Sequence, residues 1–271
     1  MSAADRIARA LFGFYMVAFF LYLFAPLAIM GIATFNTSRF PTVTPWRGTT
    51  LQWFDALWSD SGMWQSLWTS FIVAFFVVIT VLPIGTAAAL VLTSLHARAR
   101  SFMYAVMVSP LLTPGVVIGI ATLVLWRQLG VGGGVFLIVV AQASFIICYV
   151  MLMITARLQR FDPTQEEAAL GLGASKFMVF RRVLLPFLKP ALIAAGFLAV
   201  LQSIENYNTT LFVRGFDTPL TVYIATKVRT GLTPAVNALA LIMIAITVFG
   251  AIAYEIARRR GADGGGVAVQ L

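Results

Sequence analysis

Six apolar stretches follow one another along this 271-residue chain, at 11–35, 66–95, 102–126, 131–156, 190–212 and 235–257. A helix rises 1.5 Å per residue and the hydrocarbon core of a bilayer is ~30 Å thick, so about 20 apolar residues cross it. Backbone groups in lipid must be satisfied inside helices or closed barrels, which leaves a chain of this pattern few options. The expectation is an all-α polytopic membrane protein: one transmembrane domain of six helices over 1–261, then a structureless tail at 262–271. Composition agrees, with 60% of residues hydrophobic and 11% charged, more apolar than a soluble core of this size requires. The first run follows Arg6 and Arg9 like a signal peptide, but it is too long and lacks a clear cleavage site. It reads as an anchor.

Lys and Arg number 19 against 10 for Asp and Glu. In a membrane chain this excess marks cytoplasmic loops rather than nucleic-acid binding. With the N-terminus inside, Arg6, Arg9, Arg98, Arg100, Arg157, Arg160, Lys176, Arg181, Arg182, Lys189 and the arginines at 258–260 are cytoplasmic. The outside set, Arg39, Arg47, Arg127, Arg214, Lys227 and Arg229, is smaller. Both termini are therefore expected in the cytoplasm, with 36–65 and 214–234 outside. Trp46, Trp53, Trp58, Trp64 and Trp68 cluster around the first outer loop, as indoles do at a membrane boundary. The 258–260 arginines are placed to meet anionic lipid.

The loop at 157–189 is the long polar run between spans. Asp162 and Pro163 suit a helix start, and Glu166 and Glu167 complement its positive end. Gly171 and Gly173 limit that helix, and Lys176, Arg181 and Arg182 lead to an expected turn at "LLPFLKP".

Within this loop Glu167, Ala168 and Ala169 are followed by three residues, Gly173, nine residues, Val183, one residue, then Leu185 and Pro186. The pattern resembles a cytoplasmic loop of the membrane subunits of binding-protein-dependent ABC importers, with Val where Ile is usual. Its place between the fourth and fifth spans extends the resemblance over essentially the whole chain. The resemblance implies a type I importer permease fold in which the loop, Glu166 included, is a coupling helix docked on a nucleotide-binding ATPase subunit. It implies further that ATP and Mg belong to that partner and that this chain carries no cofactor. A second, homologous but distinct permease subunit, an external substrate-binding protein, membrane lipid and an inner-membrane location follow from the same resemblance. A merely charge-biased connector would account for fewer of the fixed positions.

Other chemistries fit poorly. "GLGASK" at 171–176 lacks the spacing of a phosphate-cradling loop. The sole His96 and sole Cys148 are far apart, without metal-ligand or paired-thiol spacing, so they read as a solvated loop residue and a small buried one. A motor-independent channel or carrier would need ionisable relays across several spans and would leave the loop motif without a purpose. A membrane-embedded enzyme would need a catalytic constellation that the chain lacks.

Glu205 stands out, followed by Asn206, Tyr207 and Asn208 in "LQSIENYNTTLF". A charge at membrane depth costs at least ~2.5 kcal/mol, so it faces a cavity or a partner. One reading is a cation pathway, with the three neighbours adding hydrogen bonds. The other is a structural ion pair or a helix end at the outer interface. Residues 215–241 resemble the C-terminal region of the spermidine/putrescine importer membrane subunits, where a strand-like stretch leads to the counterparts of Arg229, Gly231, Pro234, Asn237, Ala238 and Leu239. That group carries paired acidic residues where this chain has Glu205 and Asn206. A polyamine cargo therefore stands beside opines, aminophosphonates and other small solutes. Pro83, Pro110 and Pro114 are expected to kink or break helices, Gly115 and Gly119 to admit a close neighbour, and "GVGGG" at 130–134 to form a tight turn.

Overall fold

A helix satisfies its own backbone in lipid, and the apolar runs are helical in the computed structural model, which describes residues 3–231 and 233–263. Among those residues there is no strand, only an isolated bridge between Asn36 and Thr49. Among the described residues four helices are long and apolar enough to cross a bilayer: Asp5–Ala33, Ser61–Ser94, Val135–Leu158 and Lys176–Glu205. A bent pair, Ala97–Leu112 with Gly115–Gln128, serves as a fifth span, and a shorter apolar helical stretch covers Pro234–Gly250. The chain divides into two compact units, one joining the residues up to Ser61 with those from Thr226 onward, the other Gly62–Ala225.

The first unit contains α1 (Ala3–Ala33), α2 (Gln52–Trp58) and α12 (Pro234–Asp263), with α12 packed on the other two. Asn36 organises the loop between α1 and α2. Its Nδ2 donates to the carbonyls of Thr42 (2.9 Å) and Pro45 (3.1 Å), and its Oδ1 accepts from the backbone N–H groups of Ser38 and Arg47. The Trp53 indole donates to the Asn36 carbonyl at 2.7 Å. One buried amide thus replaces the pairing a sheet would have supplied. The helix α12 runs through Asp263, into the beginning of the expected tail; 264–271 lie outside the described residues.

The second unit is built around α6 (Val135–Leu158), against which pack α4 (Ala97–Leu112), α5 (Gly115–Gln128) and α9 (Leu185–Glu205). Leu137, Ile138, Ile146, Met151 and Ile154 of α6 are fully buried with Val73, Val77 and Val81 of α3 (Ser61–Ser94) and Leu188, Ala195 and Ala199 of α9. At Gly85 a Cβ would lie 2.7 Å from Val150 Cγ1, so α3 and α6 meet without a side chain between them. Cys148 is buried and its thiol donates to the Met107 carbonyl; His96 is exposed between α3 and α4.

Several elements depart from the sequence expectations. The run at 102–126 is not one rod: α4 and α5 meet at 99°. Pro114 has no N–H to donate and disfavours helix in Thr113, which is extended at ψ 128°. The run at 190–212 stops at Glu205 and resumes only as the short α10 (Thr210–Val213). "LLPFLKP" is not a turn. After α7 (Thr164–Gly171) and α8 (Lys176–Val179), a π-helical turn at Phe180–Leu184 feeds directly into α9. The wider turn accommodates Pro186, whose ring would otherwise crowd the carbonyl four residues back. The strand-like stretch after residue 215 is the helix α11 (Leu220–Thr230), whose start is satisfied by the Pro219 carbonyl and by Ser70 Oγ, which accepts from Leu220 N–H at 2.8 Å. This helix buries Leu220 and Val222. The glycine run at 130–134 does turn the chain, and Gly133 also abuts Gly215 so closely that a Cβ would lie 2.6 Å from the Gly215 nitrogen.

Gly115 and Gly119 admit a close neighbour, as expected: a Cβ at 119 would lie 2.6 Å from the Thr209 carbonyl oxygen. Because the obstacle is backbone, Gly119→Ala should destabilise the purified protein by about 1–3 kcal/mol. Gly13, with nothing within 4 Å of its absent Cβ, should tolerate Ala or gain slightly. Thermal melting in detergent checks both; an unchanged melting temperature for Gly119→Ala would contradict the packing.

Candidate functional site

Two regions of the second unit carry the candidate residues, at opposite ends of α9. The first is the loop before it. Asp162 Oδ1 accepts from the backbone N–H of Thr164 (3.0 Å) and from its hydroxyl (2.8 Å), fixing the start of α7. These two bonds favour the carboxylate and hold its pKa below the ordinary Asp value. At the other end of α7, Gly173 N–H donates to the Leu170 carbonyl and Ala174 N–H to the Ala169 carbonyl, with Gly173 at φ +84°. That is the paired-bond helix stop in which a left-handed residue takes the position after the cap. Ser175 Oγ then accepts from Met178 N–H to start α8.

Glu166, Glu167 and Ala168 are exposed on α7 and Ala169 is half-buried. Leu185 and Pro186 do not join them; they lie beyond the π turn, at the start of α9. Sequence reasoning gave little weight to the apolar side chains around Gly173. Leu172 is 90% exposed and Phe177 70%, with Met178 and Leu170 exposed beside them. Exposed apolar side chains grouped in a charged loop make a candidate contact surface. The base of the loop is braced where Arg157, ending α6, donates from Nε to the Phe187 carbonyl (3.2 Å) and stacks 4.1 Å above the Phe187 ring.

The second region is where α9 ends. The break after Glu205 interrupts the apolar run at 190–212 before the short α10. It faces the other interrupted helix, the α4–α5 joint. Between them lies a cavity of about 260 Å³ lined by Glu205, Asn206, Tyr207 and Asn208, by Phe145 and Tyr149 of α6, and by Thr113 and Gly115 at the joint, among others. All four residues singled out from sequence therefore share one cavity. Glu205 is exposed to it, and among the described residues no basic side chain pairs with it. Asn206 has a second task. Its Oδ1 accepts from the N–H groups of Thr209 (3.2 Å) and Thr210 (3.4 Å), capping α10 and leaving Nδ2 for the cavity. Gln142, Phe145 and Tyr149 were not singled out from the sequence; a Gln inside the apolar run "VVAQASF" was the available signal.

The chain belongs to the family of binding-protein-dependent transport system inner membrane components, whose model matches residues 81–261. It is 31% identical over 263 residues to the spermidine/putrescine transport system permease protein PotC of Shigella flexneri, covering 96% of this chain and 98% of that one. It is 33% identical over 249 residues to the putrescine transport system permease protein PotI of Escherichia coli (strain K12), covering 89% and 88%. A solved bacterial ABC transporter involved in import of the acidic polysaccharide alginate shares the fold at a TM-score of 0.71 and 18% identity, over 96% of this chain and 98% of that one.

The turn at Gly173 yields a test free of packing effects, since nothing lies within 4 Å of a Cβ there. Gly173→Ala should cost about 1–2 kcal/mol through its left-handed backbone alone, while Gly173→Asn, which tolerates that region, should cost less. Hydrogen exchange of 168–176 would rank the variants, and equal exchange in all three would contradict the turn. The Asp162 carboxylate gives a pH test. A lowered folded pKa means the stabilisation is complete above the ordinary Asp value and lost as pH falls through the lowered one. Protection of 164–167 should therefore drop in acid, and Asp162→Asn, which keeps an uncharged acceptor, should flatten that dependence.

Proposed function

We propose that this member of the importer inner-membrane family is the membrane-spanning subunit of an ATP-driven ABC importer whose cargo is a small polyamine or related amine. The observation that carries the cargo is the cavity: an unpaired carboxylate, Glu205, with the aromatic rings of Phe145, Tyr149 and Tyr207 and the amides of Gln202, Asn206 and Asn208. An ammonium gains from a carboxylate and from aromatic faces, most strongly where water is scarce. No Lys or Arg lines the cavity, which disfavours phosphonates and opines, whose acidic groups would face Glu205 unaided. The names of the PotC and PotI relatives point the same way.

In this reading the exposed α7–α8 knob, with Glu166, Glu167, Ala168, Ala169 and Gly173 and the patch at Leu172 and Phe177, docks on a nucleotide-binding subunit that holds ATP and Mg. Leu185 and Pro186 join the knob to α9, which carries its displacement toward the cavity. The loop 157–189 is cytoplasmic, as are both termini. A homologous but distinct permease subunit completes the pathway, an external binding protein delivers the cargo, and lipid covers the aromatic flank of α1, where Phe12, Phe14, Tyr15 and Phe20 are exposed.

In proteoliposomes holding the whole complex and its binding protein, Glu205→Gln should lower putrescine and spermidine uptake at least about tenfold, the scale of one lost charge-assisted contact. ATP hydrolysis stimulated by the loaded binding protein should persist. Normal uptake by a stable complex would overturn the cargo pathway. Separately, Leu172→Glu should strip the ATPase subunit from the purified complex and abolish uptake with the membrane domain intact. Retention of the ATPase at normal yield would reject the docking surface.

A further inference from the structure

We infer that Gln142 is a positioning residue for the cavity, clasping both sides of the break between α9 and α10 so that Glu205 and 206–208 are held where cargo passes. The inference rests on the cargo reading of that cavity. Gln142 is 1% exposed, in the middle of α6 and amid apolar side chains. Its Oε1 accepts from the Ser203 hydroxyl at 2.6 Å, and its Nε2 donates to Thr210 Oγ1 at 2.8 Å and lies 3.4 Å from the Ser203 carbonyl. Ser203 is in the last turn of α9 and Thr210 is the first residue of α10. One side chain therefore bonds to the chain on both sides of an interruption.

The arrangement is closed on itself. The Ser203 carbonyl also accepts from Asn206 N–H, and Thr210 Oγ1 lies 3.3 Å from Asn206 Oδ1, the cap of α10. Opposite Gln142, the break is walled by α5, whose Gly115 and Gly119 seat Thr209. Gln142 does not itself line the cavity, so it acts on cargo only through the segment it holds. A buried primary amide is unfavourable unless its donors and acceptor are met, and here each is met by a group flanking the break. If α6 needed only volume at 142, Leu would serve. What the amide adds is direction: a fixed register between the end of α9 and the start of α10.

The test uses the complete complex with its ATPase subunit and binding protein, in proteoliposomes, with putrescine and spermidine as probes. Gln142→Leu should raise amide exchange of 206–213 several-fold without a comparable change at 164–171. It should also lower the cargo moved per ATP hydrolysed about tenfold. A second variant separates positioning from stability. In Gln142→Leu/Ser203→Ala/Thr210→Val the polar partners leave together, which restores melting temperature, yet cargo per ATP should stay low. Unchanged exchange in Gln142→Leu overturns the clasp. Full recovery of cargo per ATP in the triple variant overturns positioning in favour of a purely structural amide. Normal transport in Gln142→Leu while Glu205→Gln fails overturns the role of Gln142 alone. Normal transport in both would remove the cargo reading and this inference with it.

Discussion

A break in a membrane helix leaves backbone groups that lipid cannot satisfy, and the second unit is arranged around meeting that demand at 206–209. Asn206 caps α10, Gln142 reaches across from α6 to Ser203 and Thr210, and two glycines of α5 close on Thr209. The Asn206 side chain meets the N–H groups of Thr209 and Thr210 and the Thr221 hydroxyl meets the Asn206 carbonyl, so part of the interrupted backbone is satisfied from within while other polar groups face the cavity. Glu205 opens to the cavity and, among the described residues, no basic side chain pairs with it. The second interruption, at Pro114, supplies the opposite wall. Two helices broken at facing points give the cavity its polar lining, and irregular backbone survives in a membrane where it is buried in protein or lines such a cavity.

The same helix that ends in the cavity begins at the exposed loop. From Lys176 the chain is helical through α8, the π turn and α9 to Glu205, a single element with the candidate docking surface at one end and the candidate cargo residues at the other. Its base is fixed to α6 through Arg157 and Phe187, and its far end to α6 through Gln142. The π turn near its start, where Pro186 cannot donate, is the place along this element where helical geometry is relaxed. The proposed coupling would run along this element from the α7–α8 knob to Glu205.

Much of this was legible in the residues, for identifiable reasons. The loop motif is a set of local backbone demands: Asp162 starts a helix and Gly173 stops it, and both did so because capping chemistry depends on a few neighbouring atoms. Glu205 was legible because a charge in an apolar run has few explanations. Features depending on distant packing were not. Pro114 signalled a break, but the 99° angle and the seating of Thr209 against Gly119 involve residues some ninety positions apart, which no local pattern contains. The resemblance over 215–241 suggested a strand-like stretch, yet Ser70 and Pro219 satisfy a helical start. "LLPFLKP" suggested a turn because two prolines usually stop a helix; the π geometry before Pro186 lets it continue. Gln142 was passed over because a single neutral amide carries far less penalty than a charge, so its importance appears only when its partners are known.

The proposed route of the amine cargo is the cavity between the two broken helices. The most direct measurement is an electron cryomicroscopy structure of the complete complex, with binding protein and cargo, trapped with its ATPase subunits closed. Cargo density is expected between the two breaks, with an ammonium about 3 Å from the Glu205 carboxylate and 206–208 around it. Cargo resolved along another route, with lipid or repacked side chains filling the space at Glu205, would contradict it.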